Sequence, residues 1–176
     1  MIVYVEADRL EAGLAHVLDS PSDLGTVELV VRRPSEGERE ILDEGVLDFP
    51  GLVGDRHTLR NDTHAGTEVT LMNARAVDLV AGGDRERWAL AGDQLYVDFD
   101  LRAENLPPGT RLQVGSAMLE ISEIPHTGCA KFTARFGSDA TRFINAKPNR
   151  ELRLRGVNTR VVTPGSVRPG DTIRKA

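Results

Sequence analysis

The sequence predicts a mainly β fold, a closed or nearly closed β-barrel with a few short helices. Many short segments alternate apolar and polar residues with period two, the pattern of strands with one buried face. Turns rich in Gly and Pro separate these segments, and helical patterns are few and short. Together these observations favour a barrel with helical insertions over a helical or parallel α/β fold.

The N-terminal residues 1–24 are predicted to form a helical segment, and residues 25–174 the barrel. Asp8 and Glu11 have the spacing of a capping box, and the apolar residues that follow fall on one helical face. The predicted strands lie at residues 25–33, 40–46, 67–72, 95–99, 112–114, 119–121, 157–162 and 172–175.

Three short helices interrupt the predicted strands. Asn73 is placed to cap a helix that ends at Gly82-Gly83. Residues 130–136 form a second helical pattern that stops at Gly137, and Ser138 can cap a third helix through Phe143.

Composition excludes several classes of function. The chain has 176 residues with 22 Lys and Arg and 27 Asp and Glu, a formal net charge of −5. This charge, without a basic cluster, argues against a nucleic-acid partner or an anionic membrane surface. No segment approaches the ~20 apolar residues of a membrane span, and no signal peptide is recognised. A single cysteine cannot form an internal disulfide, so we expect a cytoplasmic protein.

Cys129, the only cysteine, is the strongest candidate for chemistry. It follows Pro125-His126-Thr127-Gly128 and directly precedes a helical pattern. The positive end of a helix and the neighbouring Lys131 both favour the thiolate, and His126 can accept a proton if the turn brings it near the sulfur. The alternative is that Cys129 is a small buried apolar residue, a common role for a free cysteine.

The segment Gly51–His57 is a second candidate. Gly51 and Gly54 allow backbone N–H groups to face a ligand beside Asp55, and Arg56 can bind a phosphate through two parallel hydrogen bonds. The segment matches neither the phosphate loop of nucleotide hydrolases nor a dinucleotide fingerprint. An ordinary glycine-rich turn is the alternative.

Two further sets of polar residues carry weaker predictions. His57 and His64, with Asp55 and Asp62, have ligand types suited to zinc, although such histidines are more often simply solvated. Three polar residues lie at the ends of predicted strands: Asp93, Gln94 and Asn105. Their side chains can hydrogen-bond the edge of a heterocycle, but Asp and Asn are also common turn residues.

In combination these segments resemble the MOSC domain, a family named for the C-terminal part of molybdenum-cofactor sulfurases. The resemblance runs from about residue 25 to residue 174. It is carried by Gly51–His57, Glu68–Asn73, Gly92–Leu95, Leu106–Thr110, Gly115, His126–Phe132, Gly156-Val157, Gly165–Val167 and Pro169–Asp171. Some relatives have Gly-Glu-Asn-Leu or Gly-Asp-Asn-Leu where this chain has Gly92-Asp93-Gln94-Leu95.

The resemblance implies a strand-rich barrel that binds a molybdenum cofactor. Cys129 would then be a molybdenum ligand or a sulfur acceptor, which suits a soft thiolate donor. Arg56 with Gly51–Gly54 would bind the pterin phosphate, and Asp93, Gln94 and Asn105 the edge of the pterin. His126 and Lys131 would assist Cys129.

Two kinds of function follow from the resemblance. The chain is either a small reductase component, acting on N-oxygenated or similar compounds with electrons from a separate protein, or a non-catalytic carrier or interaction module. A carrier would receive sulfur or cofactor from a donor protein and pass it on. No lysine is assigned to pyridoxal phosphate in this chain.

Overall fold

A closed barrel of seven strands forms the centre of the computed structural model, which describes residues 3–59 and 65–176. The described strands are β1 (Leu24–Arg32), β2 (Glu40–Ile41), β3 (Gly45–Asp48), β4 (Gly51–Leu52), β5 (Val69–Asn73), β6 (Leu95–Asp98), β7 (Arg111–Val114), β8 (Ala117–Ile121), β9 (Val157–Thr163), β10 (Gly165–Val167) and β11 (Thr172–Lys175). The described α-helices are α1 (Ala7–Leu18), α2 (Arg56–Leu59), α3 (Ala74–Ala81), α4 (Ala130–Phe136) and α5 (Ser138–Asn145), and two 3-10 helices span Arg85–Ala91 and Lys147–Leu152.

The barrel closes in the order β1–β11–β7–β8–β9–β5–β6 and returns to β1. All of these pairs are antiparallel except β5 and β6, which run parallel. Because parallel neighbours need a crossover, α3 and the 3-10 helix Arg85–Ala91 fill the connection between β5 and β6. β2 pairs with β1 outside the ring, and β10, β3 and β4 form a separate small sheet. The predicted mainly β barrel is confirmed.

Two apolar clusters stabilise the fold. One fills the barrel, where alternate residues of strands such as β8 point inward. The other lies between the barrel and the helices, and it contains Leu10 of α1, Phe132 and Phe136 of α4, and Phe143 of α5. The helices α4 and α5 are therefore fixed on the outer surface of the barrel, and they determine where the start of α4 lies.

Most predicted elements form, with three local differences. The helix α5 begins at Ser138 with Gly137 as its N-cap and without a side-chain cap, so the predicted cap at Ser138 is wrong. The helix α1 begins at Ala7 with Glu6 as its N-cap, so Asp8 lies inside the first turn and the predicted capping box is wrong. The strand predicted at residues 40–46 divides into β2 and β3, because β2 pairs with β1 whereas β3 pairs with β10 and β4. None of the described helices is long and apolar enough to cross a membrane.

Asn73 caps α3 as the sequence predicts and also joins three parts of the fold. Its side-chain oxygen accepts hydrogen bonds from the backbone N–H groups of Arg75 and Ala76. Its amide nitrogen donates to Ser20 Oγ at 2.8 Å and to the Phe99 carbonyl at 2.9 Å. One buried side chain therefore fixes the helix to the barrel and to the segment after α1.

Replacing Asn73 with Ala is expected to lower the free energy of unfolding by about 2–3 kcal/mol, because a cap is lost and buried polar partners are left unpaired. Urea denaturation followed by circular dichroism measures the change. The matched control is Asp84→Ala, which removes an exposed cap of the 3-10 helix Arg85–Ala91 and is expected to cost about 1 kcal/mol or less. Equal losses in both variants would contradict the bridging role of Asn73.

Candidate functional site

Cys129 is the N-cap residue of α4 and is exposed to solvent. Its extended backbone places it at the junction between the segment Ile124–Gly128 and the helix. The alternative of a small buried apolar residue is therefore wrong: Phe132 and Phe136 supply the buried apolar face of α4, and the thiol remains accessible.

The surroundings of Cys129 favour its thiolate. Desolvation by neighbouring atoms opposes ionisation, but the backbone N–H groups of Phe132 and Lys131 and the positive charges of Arg155 and Arg135 outweigh it. The pKa of Cys129 is therefore held below its ordinary value. A larger fraction of this thiol is consequently nucleophilic, and able to bind a soft metal, at neutral pH.

The segment that leads to Cys129 is held by hydrogen bonds with three side chains, those of Asn158, Asp93 and Asn145. The Asn158 amide donates to the carbonyls of Ile124 and Pro125 at 3.1 and 3.2 Å. Asp93 Oδ1 lies 3.0 Å from His126 Nε2. These contacts bind the connection between β8 and α4 to the ends of β6 and β9.

Asn145 completes this arrangement by pairing with both backbone groups of Gly128. Its Oδ1 accepts from the Gly128 N–H at 2.9 Å, and its Nδ2 donates to the Gly128 carbonyl at 3.1 Å. The fit is close, since a Cβ on Gly128 would lie 2.8 Å from Ile144 Cδ1. The residue before Cys129 is thereby fixed against α5.

Asp93 and Arg155 form a buried ion pair below this segment. Arg155 Nη1 donates to Asp93 Oδ2 at 2.5 Å, and Arg155 Nη2 donates to the Ala91 carbonyl at 2.8 Å. The Arg155 guanidinium also lies 5.2 Å from the centre of the Phe132 ring in α4. Burial opposes ionisation of Asp93, but Arg155 and His126 hold the pKa of this carboxyl well below its usual range.

The ionised Asp93 determines the tautomer of His126. A carboxylate only accepts hydrogen bonds, so His126 Nε2 carries the proton that it donates to Asp93. The other ring nitrogen of His126, Nδ1, has no hydrogen-bond partner among the described residues and lies within the segment that precedes Cys129 without a competing contact.

A cleft of about 550 Å³ adjoins this segment. Its lining includes Ile124, His126, Gly128, Ile144, Asn145, Arg150, Arg153, Leu154, Arg155, Val157 and Asn158. The Arg155 side chain is 7% exposed, and its Nε has no hydrogen-bond partner among the described residues. The lining also includes Glu123 and Glu151, so the cleft combines apolar side chains with many polar and charged ones and suits a polar small molecule.

Lys131 and Arg56 share an ion-pair partner, the carboxylate of Glu36. Lys131 Nζ donates to Glu36 Oε1 at 2.8 Å, and Arg56 Nη1 lies 3.7 Å from Glu36 Oε2. Lys131 acts on Cys129 through its backbone N–H, while its ammonium group is directed to Glu36. The Arg56 side chain is partly exposed and faces the Glu36 carboxylate.

The glycines of the Gly51–Gly54 turn are explained by close packing. A Cβ on Gly51 would lie 2.5 Å from the Glu68 carbonyl oxygen, and one on Gly54 would lie 2.9 Å from Arg32 Cδ. Asp55 is buried and accepts two side-chain hydrogen bonds from Arg33. These residues therefore shape the turn that carries Arg56.

Asp93, Gln94 and Asn105 do not line the cleft. Asp93 and Gln94 are completely buried, so a direct pterin contact would require their side chains to leave the interior. Gln94 Oε1 accepts hydrogen bonds from the backbone N–H and the hydroxyl of Thr70. Asn105 donates to the carbonyls of Ser22 and Asp100.

The alternative zinc site involves residues that the structure does not describe. His64 and Asp62 lie outside the described residues, whereas His57 Nε2 lies 2.8 Å from the Thr67 carbonyl oxygen. Within residues 3–59 and 65–176, no group of three or more His, Cys, Asp or Glu side chains is arranged to hold a metal.

Sequence reasoning missed Arg155, Asn145 and Asn158. Arg155 gave only a weak signal, because it lies in the alternating run Leu152-Arg153-Leu154-Arg155 just before the strand predicted at residues 157–162. The two asparagines gave no comparable signal, since their partners are backbone groups far away in sequence.

Replacing Asn145 with Ala is expected to raise the pKa of the Cys129 thiol and to slow its alkylation at pH 7 severalfold. The physical reason is that Gly128 is no longer fixed, so the N–H groups at the start of α4 align less well with the sulfur. The pH profile of the iodoacetamide reaction measures this. In Asn105→Ala, the matched control, the profile should not change, and an unchanged profile in Asn145→Ala would refute the positioning role.

Replacing Asp93 with Asn is expected to lower the free energy of unfolding by about 3–5 kcal/mol, because Arg155 remains buried without its counter-charge. The depressed pKa of Asp93 contributes stability that is present above the unfolded pKa of about 3.9 and is lost as the pH falls further. The wild type should thus lose more stability than the variant between about pH 4 and pH 2. Urea denaturation over this range measures both effects, and parallel curves would contradict the assignment.

Solved structures share this fold. The YuaD protein from Bacillus subtilis superposes with a TM-score of 0.63 at 18% identity, over 85% of this chain and 94% of that one. YiiM from Escherichia coli gives a TM-score of 0.56 at 19% identity, over 86% and 69% of the two chains. YiiM from Geobacillus stearothermophilus gives 0.55 at 11% identity, over 89% and 74%. At these identities the likeness establishes the fold alone.

A comparison with curated proteins gave no match. The family model of the MOSC domain matches residues 66–174, which is more than half of the chain and includes β5 to β11 and the Cys129 segment. The chain therefore belongs to the MOSC domain family, a family known for binding the molybdenum cofactor.

Proposed function

We propose that this protein binds a molybdenum cofactor, with Cys129 as the metal ligand or sulfur acceptor and the pterin in the adjoining cleft. The observation that carries the proposal is an exposed cysteine with a lowered pKa, held by its own supporting contacts beside a cleft of about 550 Å³. Family membership supports the choice of cofactor.

The chemistry of Cys129 fits such a group. A thiolate is a soft donor and a good sulfur acceptor, and the backbone N–H groups of Lys131 and Phe132 favour that ionised form. Cys129 is exposed, so a metal centre or a sulfur donor can reach it. These properties suit both metal ligation and sulfur transfer.

The cleft also fits a polar heterocycle. Apolar side chains such as Ile144 and Val157 can pack against the faces of a ring. The unpartnered Nε of Arg155 is a buried donor that an acceptor atom at the edge of a ring would satisfy. Arg150 and Arg153 add positive charges to the lining, and Glu123 and Glu151 add negative ones.

Each residue has a distinct part in this proposal. Cys129 would hold the metal, Arg155 would bind the edge of the ring, and Arg56 remains the proposed ligand of the cofactor's phosphate. When bound, the cofactor would supply a metal centre that can change its oxidation state. His126, with Asp93 fixing its tautomer, would accept or return a proton through Nδ1 beside that centre.

A reductase acting on N-oxygenated or similar compounds is the enzymatic form of the proposal. Cys129 is the only cysteine among these 176 residues, so they cannot by themselves ligate a four-cysteine iron–sulfur cluster. In this form of the proposal, electrons come from a donor group outside this domain.

A sulfur or cofactor carrier is the second candidate, and the exposure of Cys129 favours it. A thiol at the surface is accessible to the persulfide of a donor protein, whereas a thiol closed inside a cavity is not. Carrier and enzyme use the same cysteine, and they differ in whether the cargo is released to an acceptor or stays bound during turnover.

Protein purified without oxygen from a host that makes the cofactor is expected to contain molybdenum and pterin in equal amounts. In Cys129→Ser both are expected to be lost, because a hydroxyl is a poor ligand for a soft metal. Metal analysis and pterin fluorescence after oxidation measure the two components.

Circular dichroism should show that Cys129→Ser remains folded, since the side chain is exposed. Arg142→Gln, which changes an exposed residue of α5, is the control and should keep the metal. Wild type that contains no molybdenum but carries a persulfide on Cys129 would support the carrier. Wild type with neither would contradict the proposal.

A further inference from the structure

The guanidinium groups of Arg39 and Arg135 converge above Gly92. Arg39 lies just before β2, Arg135 is in the last turn of α4, and Gly92 ends the 3-10 helix Arg85–Ala91. A Cβ on Gly92 would lie 3.8 Å from Arg135 Nη1 and 3.9 Å from Arg39 Nη2. None of the three residues lines the cleft beside Cys129. The two positive groups therefore share one small space, which Gly92 leaves open.

Carbonyl oxygens orient both side chains without neutralising them. Arg39 Nε donates to the Ala89 carbonyl at 3.0 Å, Arg39 Nη1 donates to the Glu38 carbonyl at 2.7 Å, and Arg135 Nη1 donates to the Leu90 carbonyl at 2.8 Å. Among the described residues, no hydrogen-bond partner is found for Arg39 Nη2 or for the Nε and Nη2 of Arg135. Several charged N–H donors are thus positioned and unused.

Asp55, Glu36 and Glu40 are paired with cations other than Arg39 and Arg135. Asp55 binds Arg33, and Glu36 binds Lys131 and lies near Arg56. Burial lowers the pKa of Arg39, and the positive charges of Arg135, Arg33 and Arg56 lower it further. This local excess of positive charge occurs in a chain whose net charge is −5. An anion at this position would relieve the repulsion.

We propose that Arg39 and Arg135, converging over Gly92, form a binding site for a tetrahedral oxyanion, namely phosphate or the phosphate group of a monoester. Guanidinium groups bind such oxygens through charge-assisted, often paired hydrogen bonds. The open space above Gly92 lets the oxyanion approach both groups. Neither arginine lines the cleft of about 550 Å³ beside Cys129, and oxyanion binding here does not require the function proposed for that cysteine.

Cys129 provides an internal reporter of binding. The positive charge of Arg135 is one of the causes that lower the pKa of Cys129. An oxyanion bound to Arg135 offsets this charge, so a smaller fraction of Cys129 is ionised at neutral pH. Binding should therefore slow the alkylation of the only cysteine in the chain.

The experiment uses the full chain free of metal and cofactor, at pH 7 and constant ionic strength. Inorganic phosphate and phenyl phosphate are titrated separately, with chloride as the screening control. Isothermal calorimetry measures binding, and the iodoacetamide rate reports on Cys129. The wild type should bind at least one of the two anions saturably. The alkylation of Cys129 should slow at least twofold over the same range of anion concentration.

Arg39→Gln combined with Arg135→Gln should abolish both signals, and Arg174→Gln, which removes a charge from β11, should keep them. Circular dichroism and the melting temperature show whether each variant is folded. If the double variant does not fold, the saturable response of the wild type against chloride decides the proposal. Binding of phosphate alone or of both anions identifies a free oxyanion site, and binding of phenyl phosphate alone identifies a monoester site.

The proposal is overturned if neither anion binds the wild type, if chloride slows alkylation equally, or if the folded double variant responds like the wild type. Because no cofactor is present, the result is independent of the molybdenum analysis.

Discussion

The buried ion pair between Asp93 and Arg155 is the constraint on which the rest of the site depends. Removing two charges from water is costly, and the cost is offset only when geometry and further hydrogen bonds are favourable. Here His126 Nε2 binds Asp93 Oδ1 and the Ala91 carbonyl accepts a hydrogen bond from Arg155 Nη2, whereas Arg155 Nε has no partner among the described residues. The pair thereby joins the turn before β6, the start of β9 and the segment before α4. A structure that keeps these charges paired also keeps Cys129 in place.

The site combines rigid support with an exposed reactive group. Asn145 and Asn158 use their amides to fix backbone groups of the segment Ile124–Gly128, and Phe132 anchors the first turn of α4 in the apolar cluster. Loops that carry function are generally held by a rigid scaffold in this way. These contacts fix the residues around Cys129, whereas the cysteine itself is exposed to solvent.

Positive charge surrounds Cys129 although the chain as a whole is acidic. Arg155 acts from the interior, while Arg135 acts from the surface beside Arg39. Both stabilise the thiolate, and both carry N–H donors without a partner among the described residues. Thiolate stabilisation and anion binding therefore have a common physical origin, the local excess of guanidinium groups.

The sequence by itself determined the barrel and the helix after Cys129, because alternation, turn residues and a helix start are local patterns, and it predicted Cys129 as the candidate for chemistry. It also indicated the family, through the order of its motifs. Only the tertiary structure decided that Asp93 supports His126 from the interior, and that Arg155, Arg39 and Arg135 approach Cys129 or Gly92. These contacts join residues that are far apart in sequence. His126 and Asp93 are 33 residues apart, and Arg155 and Asp93 are 62 residues apart. No local pattern encodes such contacts, because closure of the barrel and packing of α4 and α5 upon it create them.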